Sequence, residues 1–257
     1  MGESVLSADG KWHALALGDL ELYVKQQEKE VLSALLYQAP SLPPLCRDMD
    51  TVERLPEGVV VQERLYFDHE NDILSIQLQL ADKPFQVKPM TAVKIVPKGR
   101  MVLYVSTPLW IQLKSHNDQF VIVEYPLVIP RMSWVGSSTT DGSLCYSSKT
   151  TAPADLNSVK HHRHRAITAL ELINDSDTVL VVERLSLPLN ILSLFYSEKT
   201  GYWTESVRFR IDASTGETTV VASQKPPELV EEWHQVSCPR SEGKISRFRT
   251  AMNLIMG

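Results

Sequence analysis

Residues 73–80, ILSIQLQL, carry the pattern that decides the fold class. Successive side chains of an extended strand point to opposite faces, so the apolar residues at every second position share one face: Leu74, Ile76, Leu78 and Leu80. Further short apolar runs, cut by prolines and turns, follow at residues 93–96, 101–105, 111–113 and 120–124. Many short strands at close spacing predict a mainly β protein, arranged as a sandwich or a barrel.

The second half of the chain continues the same pattern. Apolar runs at residues 167–172 and 179–182 flank the turn sequence NDSD at residues 174–177. Residues 202–211 alternate, with two arginines opposite the apolar side chains, and a turn at residues 214–216 leads the chain back into another strand. These elements predict a β-meander with short turns.

A short motif occurs twice in the chain. Residues 106–111 and 186–191 both read S-x-P-L-x-I, and each motif follows two apolar runs around a polar turn. One interpretation is the tandem duplication of a half-sandwich, and a chance match carries about equal weight. We therefore predict two packed β-sandwich-like halves, residues 1–135 and 136–225, followed by a short helical C-terminal tail, residues 226–257.

Two other segments have helical character. Residues 26–38 contain good helix formers, but they fit a hairpin with its turn at residues 27–30 equally well. In the tail, residues 228–234 fit a short helix. Beyond them, four apolar residues at spacings of three, four and three form one face of an amphipathic helix: Ile245, Phe248, Met252 and Ile255. This face either packs on the protein's own sheet or binds a partner's groove or, peripherally, an anionic membrane surface.

Composition argues against several classes of protein. The 257 residues have a net charge of -5 and no dominant basic tract, whereas binding to duplex nucleic acid depends on many Lys and Arg contacts to phosphate. The three cysteines, Cys46, Cys145 and Cys238, are odd in number and lie far apart in the sequence, so we expect no disulfide framework. The sequence shows no secretion signal and no apolar stretch of transmembrane length, so we expect a cytoplasmic protein.

Three histidines are the candidate metal ligands. His161, His162 and His164 lie within four consecutive residues, and neutral imidazole is the commonest metal ligand in proteins. Consecutive side chains diverge on any regular element, however, and no second pair of ligands lies nearby at a metal-binding spacing. The other interpretation is a polar surface segment that leads into the strand at residues 167–172.

Residues 137–148, which are rich in hydroxyl groups, form the candidate ligand-binding region. They include Asp141 and Cys145, and a hydrolase would place its nucleophile here with a histidine downstream as the base. The chain contains no nucleophile elbow, no cysteine-protease signature and no phosphate- or dinucleotide-binding glycine motif. The alternative interpretation is a tight turn at residues 140–143 beside a small buried thiol. We therefore predict no cofactor and favour a non-enzymatic protein.

The same region carries a resemblance to a family. Residues 133–152, together with residues 83–97 and several positions further on, resemble an uncharacterised family of prokaryotic proteins of about this length. The residues that carry the resemblance are Trp134, Gly136, Gly142, Leu144, Cys145, Tyr146, Glu183, Arg184, Leu185, Pro188, Tyr202, Trp203 and Thr204. It covers most of the chain after residue 60. It implies a bacterial or archaeal cytosolic protein and no particular activity, so no functional residue is carried over.

The function favoured by these patterns is protein binding. We predict a non-enzymatic interaction or regulatory module that docks a protein partner through its C-terminal amphipathic helix. The competing hypothesis is a ligand- or metal-binding β protein, with a hydrolase as one form of it, whose site lies in residues 137–164. A fold class alone does not decide between these two hypotheses. The sequence also leaves the oligomeric state open.

Overall fold

The computed structural model of the chain divides into two compact units. It describes residues 4–6, 8–37, 45–46, 50–66, 74–115, 120–136, 142–212, 217–241 and 246–248. The first unit comprises Met1–Gln79 and Leu109–Ile129, and the second comprises Leu80–Pro108 and Pro130–Gly257. Each unit is therefore assembled from two separate stretches of chain. The predicted domain boundaries at residues 135 and 225 stay a prediction.

The described residues form strands and two short 3₁₀ helices, Leu156–Ser158 and Leu189–Ile191. The first twelve strands are β1 (Ser4–Leu6), β2 (Trp12–Gly18), β3 (Leu20–Gln27), β4 (Glu30–Tyr37), β5 (Leu45–Cys46), β6 (Asp50–Val52), β7 (Val61–Tyr66), β8 (Leu74–Gln79), β9 (Phe85–Pro89), β10 (Val93–Ile95), β11 (Arg100–Pro108) and β12 (Trp110–Ser115). The others are β13 (Val121–Pro126), β14 (Arg131–Gly136), β15 (Gly142–Thr150), β16 (Arg165–Asn174), β17 (Leu180–Val182), β18 (Leu185–Leu187), β19 (Leu194–Ser197), β20 (Gly201–Thr204), β21 (Val207–Asp212), β22 (Glu217–Ala222), β23 (Trp233–Ser237) and β24 (Ser246–Phe248).

The first unit contains two antiparallel sheets. One has the order β1-β8-β12-β13, and the other has the order β5-β2-β3-β4-β7, with β6 also paired to β2. The ILSIQLQL sequence forms β8, which lies between β1 and β12. Leu74, Ile76 and Leu78 are buried as a set, as the alternating pattern predicts, and the polar side chains of Ser75 and Gln79 on the other face are buried too.

Residues 26–37, the described part of the segment at 26–38, form a hairpin rather than a helix. β3 and β4 pair over their whole length, from Leu20 opposite Tyr37 to Gln27 opposite Glu30. The turn places Glu28 in the left-handed region, with φ of +46°. Because β7 pairs with the other edge of β4, the segment has hydrogen-bonding partners on both sides, which only an extended backbone can use. The hairpin interpretation is confirmed.

The second unit contains an eight-stranded mixed sheet with the order β23-β19-β20-β16-β21-β22-β24, and β11 also pairs with β16. β11 runs antiparallel to β16, whereas β20 and β21 run parallel to it. A two-stranded sheet, β10-β17, and a four-stranded sheet, β14-β15-β9-β18, belong to the same unit. The prediction of a mainly β protein is confirmed.

The strand predicted at residues 202–211 is interrupted in its middle. β20 ends at Thr204 and β21 begins at Val207, and both strands pair with β16. Glu205 lies in the interruption and is only 5% exposed. Beside it, the hydroxyl of Thr204 donates a hydrogen bond of 2.8 Å to the hydroxyl of Thr168. The predicted alternation holds in β21, where Val207, Phe209 and Ile211 are buried and Arg208 and Arg210 are exposed.

The NDSD turn is built around the buried side chain of Asn174. Its Nδ2 donates hydrogen bonds to the carbonyl oxygens of Ile95, Val96 and Thr178, at 3.1, 3.0 and 2.8 Å. Its Oδ1 accepts bonds of 3.0 and 2.6 Å from the amide and the hydroxyl of Ser176. The side chain thus satisfies backbone groups of the turn itself, as asparagine commonly does, and also fastens the turn to the end of β10.

The two S-x-P-L-x-I motifs adopt different conformations. The first joins β11 to β12 through Leu109, whereas the second leads from β18 into the 3₁₀ helix Leu189–Ile191. The motif leucines, Leu109 and Leu189, are both fully buried. A buried leucine after a proline bend is therefore common to both motifs, and the duplication stays a prediction.

The helical C-terminus is wrong for the residues that the structure describes. Residues 228–232 form turns and bends, residues 233 and 234 begin β23, and Phe248 lies in β24, which pairs with β22. The edge of β22 supplies backbone hydrogen-bonding partners that a helix there would leave unused. Ile245, Met252 and Ile255 lie outside the described residues. The described part of the chain contains no helix with the length and apolar character needed to cross a membrane.

Candidate functional site

The hairpin of β14 and β15 presents an apolar face of the second unit. The two strands pair antiparallel, with Trp134 opposite Leu144 and Met132 opposite Tyr146. On its other side β15 pairs with β9, which places Phe85 beside Tyr146. Side chains that are paired across strands lie on the same side of a sheet. We refer to the side chains of Met132, Trp134 and Leu144 as the hairpin face.

Exposure rises steeply along this side of the sheet. The exposed fractions are Leu187 0%, Phe85 1%, Tyr146 9%, Trp134 44%, Leu144 51% and Met132 54%. The apolar surface that forms the core under β18 and β9 therefore continues onto the hairpin, where it is open to solvent. Single exposed apolar residues are ordinary on protein surfaces, but a contiguous set that extends a core is characteristic of binding surfaces.

A polar cluster borders the hairpin face at Tyr146. The Tyr146 hydroxyl donates a hydrogen bond of 2.7 Å to Oδ1 of Asp82, and the ammonium group of Lys83 pairs with Oδ2 of the same carboxylate. Lys83 also lies 5.5 Å from the centre of the Tyr146 ring. Burial alone would raise the pKa of Asp82, but the hydrogen bonds from Lys83 and Tyr146 lower it overall. The aromatic ring is thus held by charged neighbours at the edge of the apolar surface.

Of the two candidate ligand-binding residues, Cys145 lies on β15. Cys145 points to the side opposite the hairpin face and is 1% exposed. Burial raises the pKa of its thiol, and a hydrogen bond with Ser133 opposes this only in part. Since the thiolate is the reactive form of cysteine, the arrangement favours the interpretation as a small buried thiol. Asp141, the other candidate, lies outside the described residues.

The histidine segment precedes β16. His161 and His162 are exposed, whereas His164 is buried. The rings of His162 and His164 are 5.3 Å apart, but His161 instead approaches Trp203, at 6.2 Å between ring centres. Burial, followed by the charge of Arg165, lowers the pKa of His164 to about 4. Within the described residues no three His, Cys, Asp or Glu side chains converge to hold a metal ion.

A polar cavity of about 530 Å³ lies in the first unit, beside the turn of the β3–β4 hairpin. Its lining includes Glu28, Lys29, Glu30 and the ring of Tyr66. Glu30 is engaged by the guanidinium of Arg64, and this hydrogen bond lowers the pKa of Glu30. Small-molecule sites are usually lined mainly by apolar side chains, so this charged concavity is a poorer candidate than the hairpin face.

Sequence reasoning missed the hairpin face as a functional surface. Trp134, Leu144 and Tyr146 supported the family resemblance, but as residues of structural character. The available signal was the alternation in RMSWVG and GSLCYSS, which places large apolar side chains on one face of each strand. Whether that face is covered depends on residues distant in sequence, so periodicity alone could not distinguish a core face from an exposed one.

Comparison with known proteins gives a family without a described activity. A family model described as "Protein of unknown function (DUF432)" matches residues 3–256, which is nearly the whole chain. This match confirms the resemblance to an uncharacterised family. No curated protein and no solved structure matches the chain.

Proposed function

We propose that this chain, which belongs to the DUF432 family of proteins of unknown function, is a non-enzymatic interaction module that docks a protein partner on the hairpin face. The observation that carries the proposal is the continuous apolar surface that is buried at Phe85 and about half exposed at Met132, Trp134 and Leu144. Leaving such a surface in water costs roughly 25 cal/mol for each Å² that a partner could cover. A partner that buries it recovers this free energy.

The residue types of the face support a protein partner. Trp, Tyr and Met are enriched in the central parts of protein interfaces, and a few large side chains supply most of the binding energy. Trp134 and Met132 lie next to each other on the face. The Tyr146–Asp82–Lys83 cluster at the border supplies the polar rim that such interfaces usually have.

The chemistry of the face supports binding rather than catalysis. Met132, Trp134 and Leu144 carry no group that transfers a proton or acts as a nucleophile at neutral pH. A cytoplasmic location belongs to the same proposal, because Cys145 and Cys238 are free thiols. The docking element is then the β14–β15 hairpin rather than the C-terminal tail.

The experiment is a capture comparison from lysate of the native host, with each captured protein then retested as a purified partner. The face variant is Leu144→Lys, and the matched control is Val179→Lys, which alters a similarly exposed apolar residue of the same unit outside any strand. We expect Leu144→Lys to weaken binding of the purified partner at least about tenfold, as loss of an interface anchor does. Equal binding by wild type and both variants would contradict the proposal.

A truncation separates the hairpin from the tail. A chain that ends at Ser241 lacks β24 and the predicted tail residues Ile245, Phe248, Met252 and Ile255. We expect it to bind the purified partner as the full chain does, because the hairpin face is intact. If this truncated chain loses partner binding while the Leu144→Lys variant keeps it, the docking element lies in the C-terminal tail and not on the hairpin face.

A metal site remains the second candidate function, since the His162 and His164 rings lie 5.3 Å apart. It requires further ligands from residues 137–164, such as Asp141, which the structure does not describe. Metal analysis of the untagged, purified protein tests this candidate. Stoichiometric zinc, iron, copper or manganese that is lost in a His162→Ala variant would support it, and sub-stoichiometric metal would remove it.

A further inference from the structure

We propose that residues 160–165, KHHRHR, bind the phosphate group of a small phosphorylated molecule beside the ring of His162. We refer to these residues as the basic turn. They follow the 3₁₀ helix Leu156–Ser158 and lead into β16, in the stretch 142–212 that the structure describes without a gap. The inference goes beyond the proposed function, because none of these residues belongs to the hairpin face.

The basic turn concentrates positive charge. Every residue in it is Lys, Arg or His, and residues 156–170 contain no Asp or Glu. Two other exposed cations of the same unit lie against carboxylates. Arg208 lies 2.6 Å from the carboxylate of Glu171. Arg210 lies 3.0 Å from that of Asp175. A run of basic residues with no acidic neighbour in the sequence instead creates a locally positive potential.

The basic groups converge on the ring of His162. The backbone N–H of Arg165 donates a hydrogen bond of 3.2 Å to the carbonyl oxygen of His162, which closes the turn, and the ring of His164 lies 5.3 Å from that of His162. Partial burial, followed by the charges of three neighbours, lowers the pKa of His162. In order of their effect, these neighbours are Arg165, Lys160 and His161. Electrostatic interactions weaken with distance, so these donor-bearing groups lie close together, as an oxyanion site requires.

The guanidinium of Arg165 is held in a fixed orientation. Its Nε donates a hydrogen bond of 3.0 Å to Oγ of Ser106 on β11, and its Nη2 donates one of 2.6 Å to the carbonyl oxygen of the same residue. Both acceptors are uncharged, so these two bonds orient the guanidinium without neutralising it. A preoriented donor loses little conformational freedom when a ligand binds, and the planar guanidinium matches the geometry of phosphate.

The number of charges favours a small phosphorylated molecule over a polyanion. The permanent charges of the basic turn come from Lys160, Arg163 and Arg165. A phosphate monoester carries about 1.5 to 2 negative charges at neutral pH, which these cations can balance. Binding to an anionic membrane usually takes about four to eight Lys or Arg, and nucleic acids require many phosphate contacts.

The charge of the whole chain and of the turn also restricts the ligand. The net charge of -5 repels a polyanion that extends over the surface, whereas a compact ligand interacts mainly with the charges within about 8 Å of it. The cations of the basic turn repel a metal ion in the same place. The inference therefore competes with the metal site at His162 and His164.

The test is an NMR titration of the full, isotope-labelled chain, in which chloride is replaced by inorganic phosphate at constant pH and ionic strength. The imidazole signals of His162 report binding. We expect a saturable shift in the wild type. Lys160→Gln should weaken the affinity about tenfold, since it removes a charge-assisted hydrogen bond from an exposed side chain. Lys160→Arg keeps the positive charge and should retain binding.

Two controls address the rest of the surface. Lys225→Gln is the matched control, because Lys225 is an exposed lysine of the same unit outside the basic turn. We expect it to bind phosphate as the wild type does. Leu144→Lys should also leave phosphate binding unchanged, which separates the basic turn from the hairpin face. A nucleoside monophosphate should bind at least as tightly as inorganic phosphate, because it carries the same group.

Four results would overturn the inference. The first is the absence of a saturable shift up to roughly 10 mM phosphate, well above millimolar affinity. The second is equal weakening by Lys160→Gln and Lys225→Gln, which would mean that phosphate responds only to the overall charge. The third is a single-stranded oligonucleotide that binds far more tightly than the nucleoside monophosphate, which would assign the basic turn to a polyanion. The fourth is a phosphoserine peptide with the same advantage, which would assign it to a phosphorylated protein.

Discussion

The side chain of Asn174 holds the turn between β16 and β17 through five hydrogen bonds, three of them to backbone carbonyls. Asn174→Ala leaves these buried groups without their partner, and each such loss costs about 1–3 kcal/mol. We expect the free energy of unfolding to fall by roughly 3 kcal/mol in urea titration. Asp177→Ala is the control in the same turn, since its exposed ion pair with Lys98 contributes little. Equal stability of both variants would refute this role of Asn174.

Glu205 makes the stability of the protein depend on pH. Burial raises its pKa above the usual 4.5, hydrogen bonds with Ser193 oppose this only in part, and Oε2 has no hydrogen-bond partner in the described structure. A carboxyl group whose pKa is raised in the folded state contributes most to the free energy of unfolding at pH values below its unfolded-state pKa. That contribution is lost as the pH rises through the folded-state pKa. Glu205→Gln removes this ionisation.

We therefore expect the advantage of Glu205→Gln in unfolding free energy over wild type to grow as the pH rises above the usual carboxyl pKa of 4.5 and through the raised folded-state pKa of Glu205. Chemical unfolding at several pH values measures it, with Glu231→Gln as the control on an exposed glutamate. A difference between the Glu205→Gln variant and wild type that stays constant with pH would show that Glu205 has the same pKa in the folded and unfolded states.

The β3–β4 hairpin is the element whose turn carries backbone strain. Glu28 has φ of +46°, a conformation that costs a residue with a side chain roughly 1 kcal/mol and glycine almost nothing. We expect Glu28→Gly to raise the free energy of unfolding by about 0.5 kcal/mol, and Glu28→Ala, which keeps the strain, to give no gain. Denaturant titration of the three proteins measures this. A more stable alanine variant would mean that the carboxylate, rather than the backbone, limits the turn.

The elements also show how far the sequence predicts the fold. Strict alternation in residues 73–80 and in β21 identified both strands correctly, since only an extended chain gives that period. In residues 26–38 the apolar spacing fits a helix and a strand alike, and pairing with β7 decided the outcome. In residues 202–211 the buried Glu205 divides one predicted strand into two, which periodicity cannot detect.

The candidate site was less predictable than its strands. The alternation of Met132 and Trp134 is visible in the sequence, but it has the same form as the alternation of Phe85 and Val87. Phe85 and Val87 are buried, whereas Met132 and Trp134 are about half exposed. The difference arises from what packs over each strand, and that depends on chain segments far away in sequence.

The whole molecule has a discontinuous organisation that local sequence patterns do not encode. The first unit takes β12 and β13 from a later part of the chain, after β9, β10 and β11 have entered the second unit. Contacts between strands that are distant in sequence determine such an arrangement, whereas turn signals and periodicity are local. Sequence analysis therefore gave the fold class and many strands, and it could not give the division into units.

Hydrogen exchange of the full chain with its purified, captured partner tests the docking face most directly. We expect backbone amides of β14 and β15 to become protected when the partner binds, and Leu144→Lys to lose this protection together with binding. Amides of the β3–β4 turn, beside the polar cavity, should exchange at the same rate with and without the partner. Protection confined to that turn or to residues 161–164, with the β14–β15 hairpin unchanged, would show that the partner does not bind the hairpin face.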